Sequence, residues 1–403
     1  MRVLHVLHSS LPNTSGYSIR AKYILQCQQE LGIKPCVVTS AQHPNPVGAR
    51  EVIDGIRYIR TAAQPKRMIG LRELGLMQAL KKTIDMAVGE FHPDIIHAAS
   101  PVLVGLPALY IARKHKLPFV YEVRDLWENA SVDRGKWTYD SAPYKAARKL
   151  ETIIFRRADA VVTICEALRD EIAPRVGKNA SPSVIANGVE SSLFHLQPPD
   201  QRVLEQWGLA GKRVLAYIGA FQPYEGLETL ILAMPEIAQK IPEAHLVIAG
   251  GGGELEPELH ALVSTHCLEK RVTFTGRVPH DQVQSLYSVV DLMVYPRIST
   301  RTTQLTTPLK PLEAMAQEVP VVVSDTKAML ELVQPGTTGL CFHAGDVADL
   351  ARVCVMALRD EQLLKQMAKN ARLYVETKRH WPNIVEGYQD IYTGAITKNQ
   401  SRL

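Results

Sequence analysis

Short apolar segments alternate with longer amphipathic segments along the whole chain, and no other feature restricts the fold as much. Runs such as 2–8 and 320–325 are rich in β-branched residues and are too short to be helices. Between such runs, segments such as 18–31 and 71–90 carry apolar residues at helical spacing. Strands that alternate with helices in this way predict an α/β fold built on parallel sheets.

The strand–helix pattern occurs in two successive series. The first contains strand candidates at 2–8, 34–40, 56–61, 94–100, 118–124, 160–164 and 183–187, and the second at 213–220, 244–250, 271–276, 292–296, 320–325 and 339–343. A polar, proline-containing segment at 192–201 separates them, and 403 residues are more than one ordinary domain needs. We therefore expect Rossmann-like domains at 1–195 and 196–377. A C-terminal helix in 378–403 should cross back to complete the first domain, because Tyr388 and Tyr392 on it need burial.

Composition and cysteine usage favour a cytoplasmic protein. The net charge of +5 is mild and gives no reason to expect a nucleic-acid partner. The six cysteines are scattered without a CxxC or metal-ligand spacing, so we expect reduced, buried thiols. The N-terminus lacks a signal-peptide pattern, and no apolar run reaches the roughly 18 residues that a membrane span needs.

The candidate site residues of the second series follow its strands. Gly219 and Gly226 bracket a strand-to-helix turn, either for close approach to a phosphate or only for a tight turn. Thr307 is a candidate N-cap, with Pro308 at the first position of a helix over 308–317. Lys310 and Glu313 then share one face near the positive end of that helix. They suit a phosphate beside a sugar hydroxyl, or else form an ordinary surface pair.

Strand ends of the first series also carry polar candidates. Gly16 lies in a loop after the first strand, ahead of a helix expected at Ser18. The segment YEVRDLWEN brings four charged groups to a strand end, which is costly unless they are solvated, paired or used. Pairing of Arg124 with Asp125 or Glu128 would be a structural explanation. His97 ends another strand and is either structural or catalytic.

Taken together, these segments resemble the retaining glycosyltransferases of family 4, which have the GT-B fold. The resemblance covers essentially the whole chain. It is carried by Gly16 and, in order, by the segments HPDIIHAAS, RADAVVTICEAL, VIANGVESSLF, YIGAFQPYEGLETLI, LVIAGGGGELEPEL, VTFTGRVPHDQVQSLYSVVDLMVYP and LKPLEAMAQEVPVVVSD. The segments YEVRDLWENA, YEGL and TPLKPLEAMA look closest to bacterial exopolysaccharide members, including those that accompany PEP-CTERM/exosortase systems.

The resemblance implies a nucleotide-sugar donor, a UDP-sugar or another nucleoside diphosphate sugar, bound by the second domain. It places Glu313 at the ribose hydroxyls, Lys310 at the phosphates and the backbone of Arg277 and Val278 at the base. Gly16, Gly219 and Thr307 complete the expected donor set. The acceptor, a glycan, lipid-linked or small molecule, is expected on the first domain, where Asp125 or His97 would position it.

The sequence departs from the family pattern where catalysis needs charge. Leu305 stands where the family usually has the first carboxylate of an E-x7-E pair. Phe221 and Glu225 stand near the places of the usual Arg and Lys that hold the diphosphate, and Glu318 replaces a usual Gly. Charge that develops on the leaving diphosphate must meet a cation. We therefore predict that Arg301, with Arg297 in reserve, joins Lys310 in catalysis, without a metal ion or cofactor.

A basic segment from Arg57 to Lys82 contains seven Lys and Arg residues and one acid, interleaved with apolar residues. It is either a solvated helix face or a surface that rests on anionic lipid at the inner face of a membrane. Three functional hypotheses remain at this point. They are a retaining glycosyltransferase with front-face attack, a non-catalytic nucleotide-sugar-binding scaffold, and a GT-B epimerase or phosphorylase.

Overall fold

A computed structural model describes residues 1–44, 48–62, 71–177, 181–251, 255–279 and 282–402. These residues form two compact units, one made of 1–187 with 381–403 and the other of 188–380. We call them unit 1 and unit 2. Each is built on its own sheet, with helices connecting parallel strands. The predicted fold class, two Rossmann-like α/β domains, is confirmed.

Over the described residues, the strands are β1 (Arg2–Leu7), β2 (Lys34–Thr39), β3 (Arg50–Ile53), β4 (Ile56–Arg60), β5 (Ile95–Ala99), β6 (Phe119–Val123), β7 (Ala160–Thr163), β8 (Ser183–Val184), β9 (Arg213–Gly219), β10 (Ala244–Gly250), β11 (Val272–Gly276), β12 (Leu292–Tyr295), β13 (Val321–Ser324) and β14 (Leu340–Phe342). The helices are α1 (Gly16–Glu30), α2 (Leu71–Phe91), α3 (Val102–Lys114), α4 (Trp127–Asp133), α5 (Ala142–Arg157), α6 (Glu166–Val176), α7 (Gln201–Gln206), α8 (Leu227–Lys240), α9 (Glu256–Thr265), α10 (Val283–Tyr287), α11 (Arg301–Leu305), α12 (Lys310–Ala316), α13 (Lys327–Leu330), α14 (Val347–Arg359), α15 (Glu361–Lys378), α16 (Trp381–Val385) and α17 (Gly387–Gln400).

The sheet of unit 1 has the order β3-β4-β2-β1-β5-β6-β7-β8. Its strands pair in parallel except for β3, which runs antiparallel to β4 at one edge. The inner strands β5 and β6 are buried at every position, which explains their continuous apolar sequences. The sequence predicted every strand of this sheet except β3, whose segment Arg50–Ile53 alternates between exposed and half-buried residues.

The sheet of unit 2 has the order β11-β10-β9-β12-β13-β14 and is parallel throughout. All six of its strands were predicted from the sequence, within two residues at each end. The chain order reverses between β9 and β12, which lie side by side at the centre of the sheet. In open α/β sheets, ligands bind beyond the carboxyl ends of the strands at such a reversal.

The last two helices, α16 and α17, belong to unit 1, as the predicted crossing helix requires. Tyr388 and Tyr392 are fully buried there. The Tyr388 hydroxyl donates to Glu122 Oε2 at 2.6 Å, and Gln28 Nε2 donates to the Tyr392 hydroxyl at 2.8 Å. The chain therefore returns to complete the core of the unit in which it began.

The boundaries between the units lie at 187/188 and 380/381, rather than at the predicted 195/196 and 377/378. The linker was placed too late because its residues already pack in unit 2. Val189 N donates to Arg379 O at 2.8 Å, and the Val189 and Phe194 side chains belong to the core of unit 2. Polar composition alone did not reveal these two buried anchors.

Two further sequence expectations are tested by burial. Four cysteines are buried, but Cys341 is half-buried and Cys267 is exposed, so the prediction of uniformly buried thiols is wrong for these two. In the described part of the chain, none of the helices combines the length and apolarity needed to traverse a bilayer.

Candidate functional site

The carboxyl ends of the central strands in unit 2 come together around two glycines. Gly219 ends β9, Gly250 ends β10, and the two residues are paired in register. A Cβ atom added to Gly250 would lie 1.8 Å from the carbonyl oxygen of Gly219, so no side chain fits there. The glycine-rich segment continues through Gly251, while Gly252 and Gly253 lie outside the described residues. Glycine at Gly250 thus allows the ends of the two strands to approach each other closely.

Lys310 lies directly over Gly219. A Cβ atom at Gly219 would come within 1.9 Å of Lys310 Nζ, and the backbone there has φ of +156°, which also favours glycine. The sequence left open whether Gly219 serves a turn or a close approach, and the structure shows a close approach by the lysine side chain. The Lys310 ammonium donates to the Tyr217 hydroxyl at 2.9 Å. Burial lowers the pKa of Lys310.

Glu225 neutralises part of the positive charge beneath Lys310. Its carboxylate is buried and lies 3.7 Å from Lys310 Nζ. The Arg297 guanidinium pairs with the same carboxylate through two nitrogens, at 3.0 and 3.2 Å. Burial alone would raise the pKa of Glu225, but Arg297 and then Lys310 outweigh it and lower the pKa to about 2. The site thus holds one carboxylate between two cations.

This pairing argues against Arg297 as a reserve ligand of the diphosphate. Its third nitrogen donates to the carbonyl oxygen of Thr306 at 3.1 Å, and the residue is buried. Every guanidinium nitrogen therefore has a protein partner. Sequence reasoning missed this role because Glu225 and Arg297 are far apart in the chain. The signal that the sequence offered was the acid at Glu225, where the resemblance implies a lysine.

Arg301 is exposed and is the first residue of α11, a short helix that the sequence did not predict. Thr300 caps this short helix, since its side chain accepts from Thr303 N at 3.2 Å while Thr303 Oγ1 accepts from Thr300 N at 2.8 Å. The threonine-rich sequence hid the helix because threonine has low helix propensity, while favouring caps. The contact of Arg301 with phosphate stays a prediction.

The helix that carries Lys310 and Glu313 begins at Lys310, two residues later than predicted. Thr307 is therefore not its N-cap, and Pro311 rather than Pro308 lies in its first turn. The reason is the preceding segment, in which Arg297 holds the Thr306 carbonyl and the Thr307 side chain is buried. The Tyr295 hydroxyl donates to the Lys310 carbonyl at 2.9 Å, which ties the start of α12 to the end of β12.

Glu313 lies in the first turn of α12, as predicted, and is half-buried. Burial raises the pKa of Glu313 to about 7, although the Lys310 charge opposes the shift. At the edge of the same sheet, Gly276 ends β11 with φ of +68° and is followed by exposed Arg277 and half-buried Val278. The backbone of Arg277 and Val278 thus continues from the carboxyl end of a strand, on the same side of the sheet as Gly219.

In unit 1, the two predicted acceptor residues, Asp125 and His97, differ in how exposed their side chains are. Asp125 follows β6, is half-buried and accepts from Ser100 Oγ at 3.3 Å. Burial raises the pKa of Asp125. Gly16 is exposed and opens α1, which begins two residues earlier than predicted and is capped by Ser15. Because Gly16 belongs to unit 1, its predicted place at the donor stays a prediction.

His97 is enclosed in the core of unit 1. Its Nε2 lies 3.1 Å from Glu122 Oε2, its Nδ1 lies 2.7 Å from the Tyr392 hydroxyl, and the residue is only 2% exposed. The predicted catalytic role of His97 is therefore wrong for this structure, because an acceptor cannot reach the ring. Of the two acceptor candidates, only Asp125 keeps an accessible side chain.

Glu122 explains the charged segment at this strand end. It pairs with Arg20 at 2.9 Å and with Arg124 at 2.7 Å, whereas Glu128 pairs with Arg175 at 3.2 Å. Pairing does explain the charged segment, but Arg124 pairs with Glu122 rather than with Asp125 or Glu128, the partners considered from the sequence. Burial would raise the pKa of Glu122, but the two arginines hold it well below its usual range. Among the described residues, no group of three or more His, Cys, Asp or Glu side chains could hold a metal ion.

Two family models match the chain, one within unit 1 apart from its last residue and the other wholly within unit 2. The model of the glycosyl transferase 4-like domain matches residues 15–188, and that of glycosyl transferases group 1 matches residues 201–374. Together they span most of the chain.

Individual relatives agree with these matches. The sulfoquinovosyl transferase SQD2 of Arabidopsis thaliana is 26% identical over 389 residues, which cover 94% of this chain and 70% of that protein. Among solved structures, the sucrose-phosphate synthase of Thermosynechococcus elongatus superposes with a TM-score of 0.80 at 21% identity and 98% coverage of both chains. Anabaena HepE in complex with UDP-glucose gives a TM-score of 0.73 at 20% identity, with 100% coverage of both chains. The chain belongs to the group 1 glycosyltransferases and has their GT-B fold.

Proposed function

We propose that this protein is a retaining glycosyltransferase of family 4 that takes a sugar from a nucleoside diphosphate sugar. The observation that carries the proposal is the Lys310 ammonium lying over Gly219 at the strand ends of unit 2, with Glu313 in the same helical turn. A lysine beside a strand that ends in glycine suits a phosphate, and a carboxylate in the same helical turn suits a vicinal diol. The similar HepE binds UDP-glucose, which supports this class of donor.

Within this proposal, Lys310 contacts the diphosphate, Glu313 accepts from the ribose hydroxyls, and the backbone of Arg277 and Val278 meets the base. Because Arg297 is already engaged by Glu225, we assign the second catalytic cation to Arg301. Two protein cations stabilise the leaving diphosphate, so we propose that turnover needs no metal ion. Excess chelator should then leave turnover unchanged.

The acceptor is proposed to be a glycan, a lipid-linked glycan or a small hydroxyl compound, positioned by Asp125. The place in bacterial polysaccharide biosynthesis rests on the exopolysaccharide-like segments YEVRDLWENA and TPLKPLEAMA. Transfer with retention is proposed to proceed by attack on the face of the departing diphosphate, whose oxygen takes the acceptor proton. An α-linked donor should then give an α-linked product by proton NMR, and a β-linked product would contradict retention.

A screen of nucleoside diphosphate sugars, read by thermal shift and by hydrolysis, tests donor use directly. One donor should stabilise the protein and be cleaved, and Lys310→Gln should remove both effects. Lys369→Gln, on the exposed face of α15, is the matched control and should change neither. If no nucleotide sugar stabilises the protein, the proposal of a nucleotide-sugar donor is wrong.

The second candidate is a non-catalytic nucleotide-sugar-binding scaffold. It is favoured by Glu225 and Leu305, where the resemblance implies a lysine and a carboxylate, and by the engagement of Arg297 with Glu225 and the Thr306 carbonyl. A donor that stabilises the protein but is never cleaved, with any acceptor tried, would select the scaffold over the enzyme.

We also propose a cytoplasmic location with contact to an anionic membrane surface through the basic segment Arg57–Lys82. Residues 63–70 of it, which include Lys66 and Arg67, lie outside the described residues. Arg60 must be removed from this surface, because it is buried and pairs with Glu51 at 2.5 Å. The described part of the surface consists of exposed Arg57 on β4, exposed Arg72 and Lys82 on α2, and half-buried Lys81 on α2.

A further inference from the structure

A groove of about 700 Å³ lies on unit 1 between α2, α3 and α5. Its volume is within the range of small-molecule sites. The groove is lined by apolar and basic side chains of these three helices, among them Leu74 and Met77 of α2, Tyr110 of α3 and Ile153 of α5. None of the residues identified above at the strand ends takes part, but Lys81 also belongs to the basic surface proposed above, so the inference rests on that proposed membrane contact and gives it a binding site.

The groove presents apolar surface to solvent. Leu74 and Tyr110 are each 57% exposed, and the partly buried Met77, Leu106 and Ile153 continue the apolar lining. Apolar side chains that line a concave site, with a few polar groups among them, are typical of ligand-binding sites. The occupant must therefore have an apolar part.

The charged residues that line the groove are all basic. Lys81, Arg113, Lys114 and Arg157 line it, and none of the lining residues is acidic. Lys114 is paired with Asp85 at 2.6 Å and Arg113 with Asp159 at 3.3 Å. Lys81 instead lies over the Tyr110 ring at 4.2 Å, and Arg157 is the exposed last residue of α5. These two cations at an apolar groove suit an anionic group attached to an apolar chain.

We propose that this groove binds an anionic phospholipid of a bilayer surface. The acyl-chain segment nearest the headgroup packs on Leu74, Met77 and Ile153, while Lys81 and Arg157 attract the phosphate from the α2 and α5 sides of the groove. A long lysine or arginine side chain can lie along apolar surface and keep its charge at the headgroup level. A second copy of this chain would bring equal positive charges together, and a soluble anion would leave the apolar lining uncovered.

Binding to vesicles without nucleotide sugar tests this inference independently of the proposed transferase activity. The whole protein should float with phosphatidylglycerol vesicles, weakly with phosphatidylcholine vesicles, and less as salt is raised. Lys81→Gln with Arg157→Gln should weaken binding about thirtyfold, which corresponds to roughly 1 kcal/mol for each basic residue near an anionic surface. The matched control is Lys369→Gln with Lys378→Gln, an exposed mid-helix lysine and the exposed last residue of α15 in unit 2.

The apolar part of the groove has its own paired test. Leu74→Gln keeps helix propensity but removes apolar surface from the rim, and should weaken binding about tenfold. Leu373→Gln changes a leucine that is 61% exposed on α15, and should have no effect. A phosphatidylglycerol with a photoreactive acyl chain should label peptides from α2, α3 and α5.

Four results would overturn the inference. They are equal binding to neutral and anionic vesicles, unchanged binding by both groove variants, labelling confined to other helices, and no binding to vesicles at all. If the protein instead bound an acidic peptide in a Lys81-dependent manner while ignoring vesicles, the groove would be a protein-docking surface. Self-association through the groove would appear as a dimer in light scattering that Leu74→Gln abolishes, and would also contradict lipid binding.

Discussion

Replacing Gly219 displaces the Lys310 ammonium without removing its charge. Gly219→Ala adds one methyl group within 1.9 Å of Lys310 Nζ, so the ammonium must leave its position over the strand end. We expect donor affinity to fall about ten- to hundredfold, the range for a hydrogen bond to a charged group. Calorimetry with the nucleoside diphosphate measures the change. Gly89→Ala is the control because no atom lies within 4 Å of the added Cβ, and normal affinity of Gly219→Ala would contradict the assignment of Lys310.

The raised pKa of Glu313 gives donor binding a specific pH dependence. With a pKa of about 7, Glu313 is half protonated near neutrality, and its ionised form is the better acceptor for ribose hydroxyls. Affinity should therefore rise with pH through about 7. Glu313→Gln should weaken binding by about 1.5–3 kcal/mol at high pH and remove this step.

Since the pKa is raised on folding, Glu313 itself should also lower the stability of the folded state as pH rises from about 4.5 to 7.

Titrating donor affinity for both proteins checks this assignment. The nucleoside diphosphate also titrates in this range, and Glu313→Gln retains that contribution, so the difference between the two curves isolates the carboxylate. Parallel curves would leave Glu313 without contact to the ribose.

The Glu225–Arg297 pair should be important for stability rather than for phosphate contact. Glu225→Gln leaves the buried guanidinium without its counterion, which costs about 3–5 kcal/mol in comparable pairs. The double variant Glu225→Gln with Arg297→Met removes both charges and should lose less. Urea unfolding measures both free energies. A cost below about 1 kcal/mol for Glu225→Gln would mean that the pair behaves like an exposed one.

At the scale of elements, α11 and α12 place the proposed cations. Arg301 is at the exposed start of α11, and an arginine fork can contact two phosphate oxygens where a lysine offers one charge. Arg301→Lys as well as Arg301→Ala should therefore lower turnover, the latter by about 2.7–4 kcal/mol in activation free energy, or roughly a hundred- to thousandfold. Turnover at saturating acceptor is the measurement.

The control for Arg301 is Arg202→Ala, because Arg202 is also exposed in the first turn of a short helix of unit 2. Its loss should leave turnover unchanged. If Arg301→Ala turned over normally while folded, another group would have to meet the developing charge.

The elements of the fold differ in how well the sequence predicts them. Long apolar strands such as β10 were predicted to within a residue, because burial on both faces leaves a continuous apolar signal. The edge strand β3 and the helix α11 were missed, because the first is only half-buried and the second is mostly threonine and polar residues. Lys310 and Glu313 were identified from local spacing. The pairing of Arg297 with Glu225 was not, since no local pattern relates residues so distant in the chain.

For the whole molecule, the structure predicts that unit 1 cannot fold without the end of the chain. Truncation after His380 removes Trp381, Tyr388 and Tyr392, each nearly or fully buried. Loss of one large aromatic side chain typically costs about 3–5 kcal/mol, and a whole domain is stable by only about 5–15 kcal/mol. We therefore expect the truncated protein to show one cooperative unfolding transition, that of unit 2, by calorimetry. Two transitions would show that α16 and α17 are dispensable.

The return of the chain to unit 1 also sets the order in which the protein can be finished during its synthesis. Domains of a growing chain usually fold from the N-terminus onward. Here the unit begun first is completed last, because Tyr388 bonds to Glu122 and Tyr392 to Gln28 only after residues 188–380 have been made. Until then the buried ion pair of Arg20 and Glu122 lacks part of its enclosure. All residues of unit 2 are therefore synthesised before α16 and α17, which unit 1 needs to complete its core.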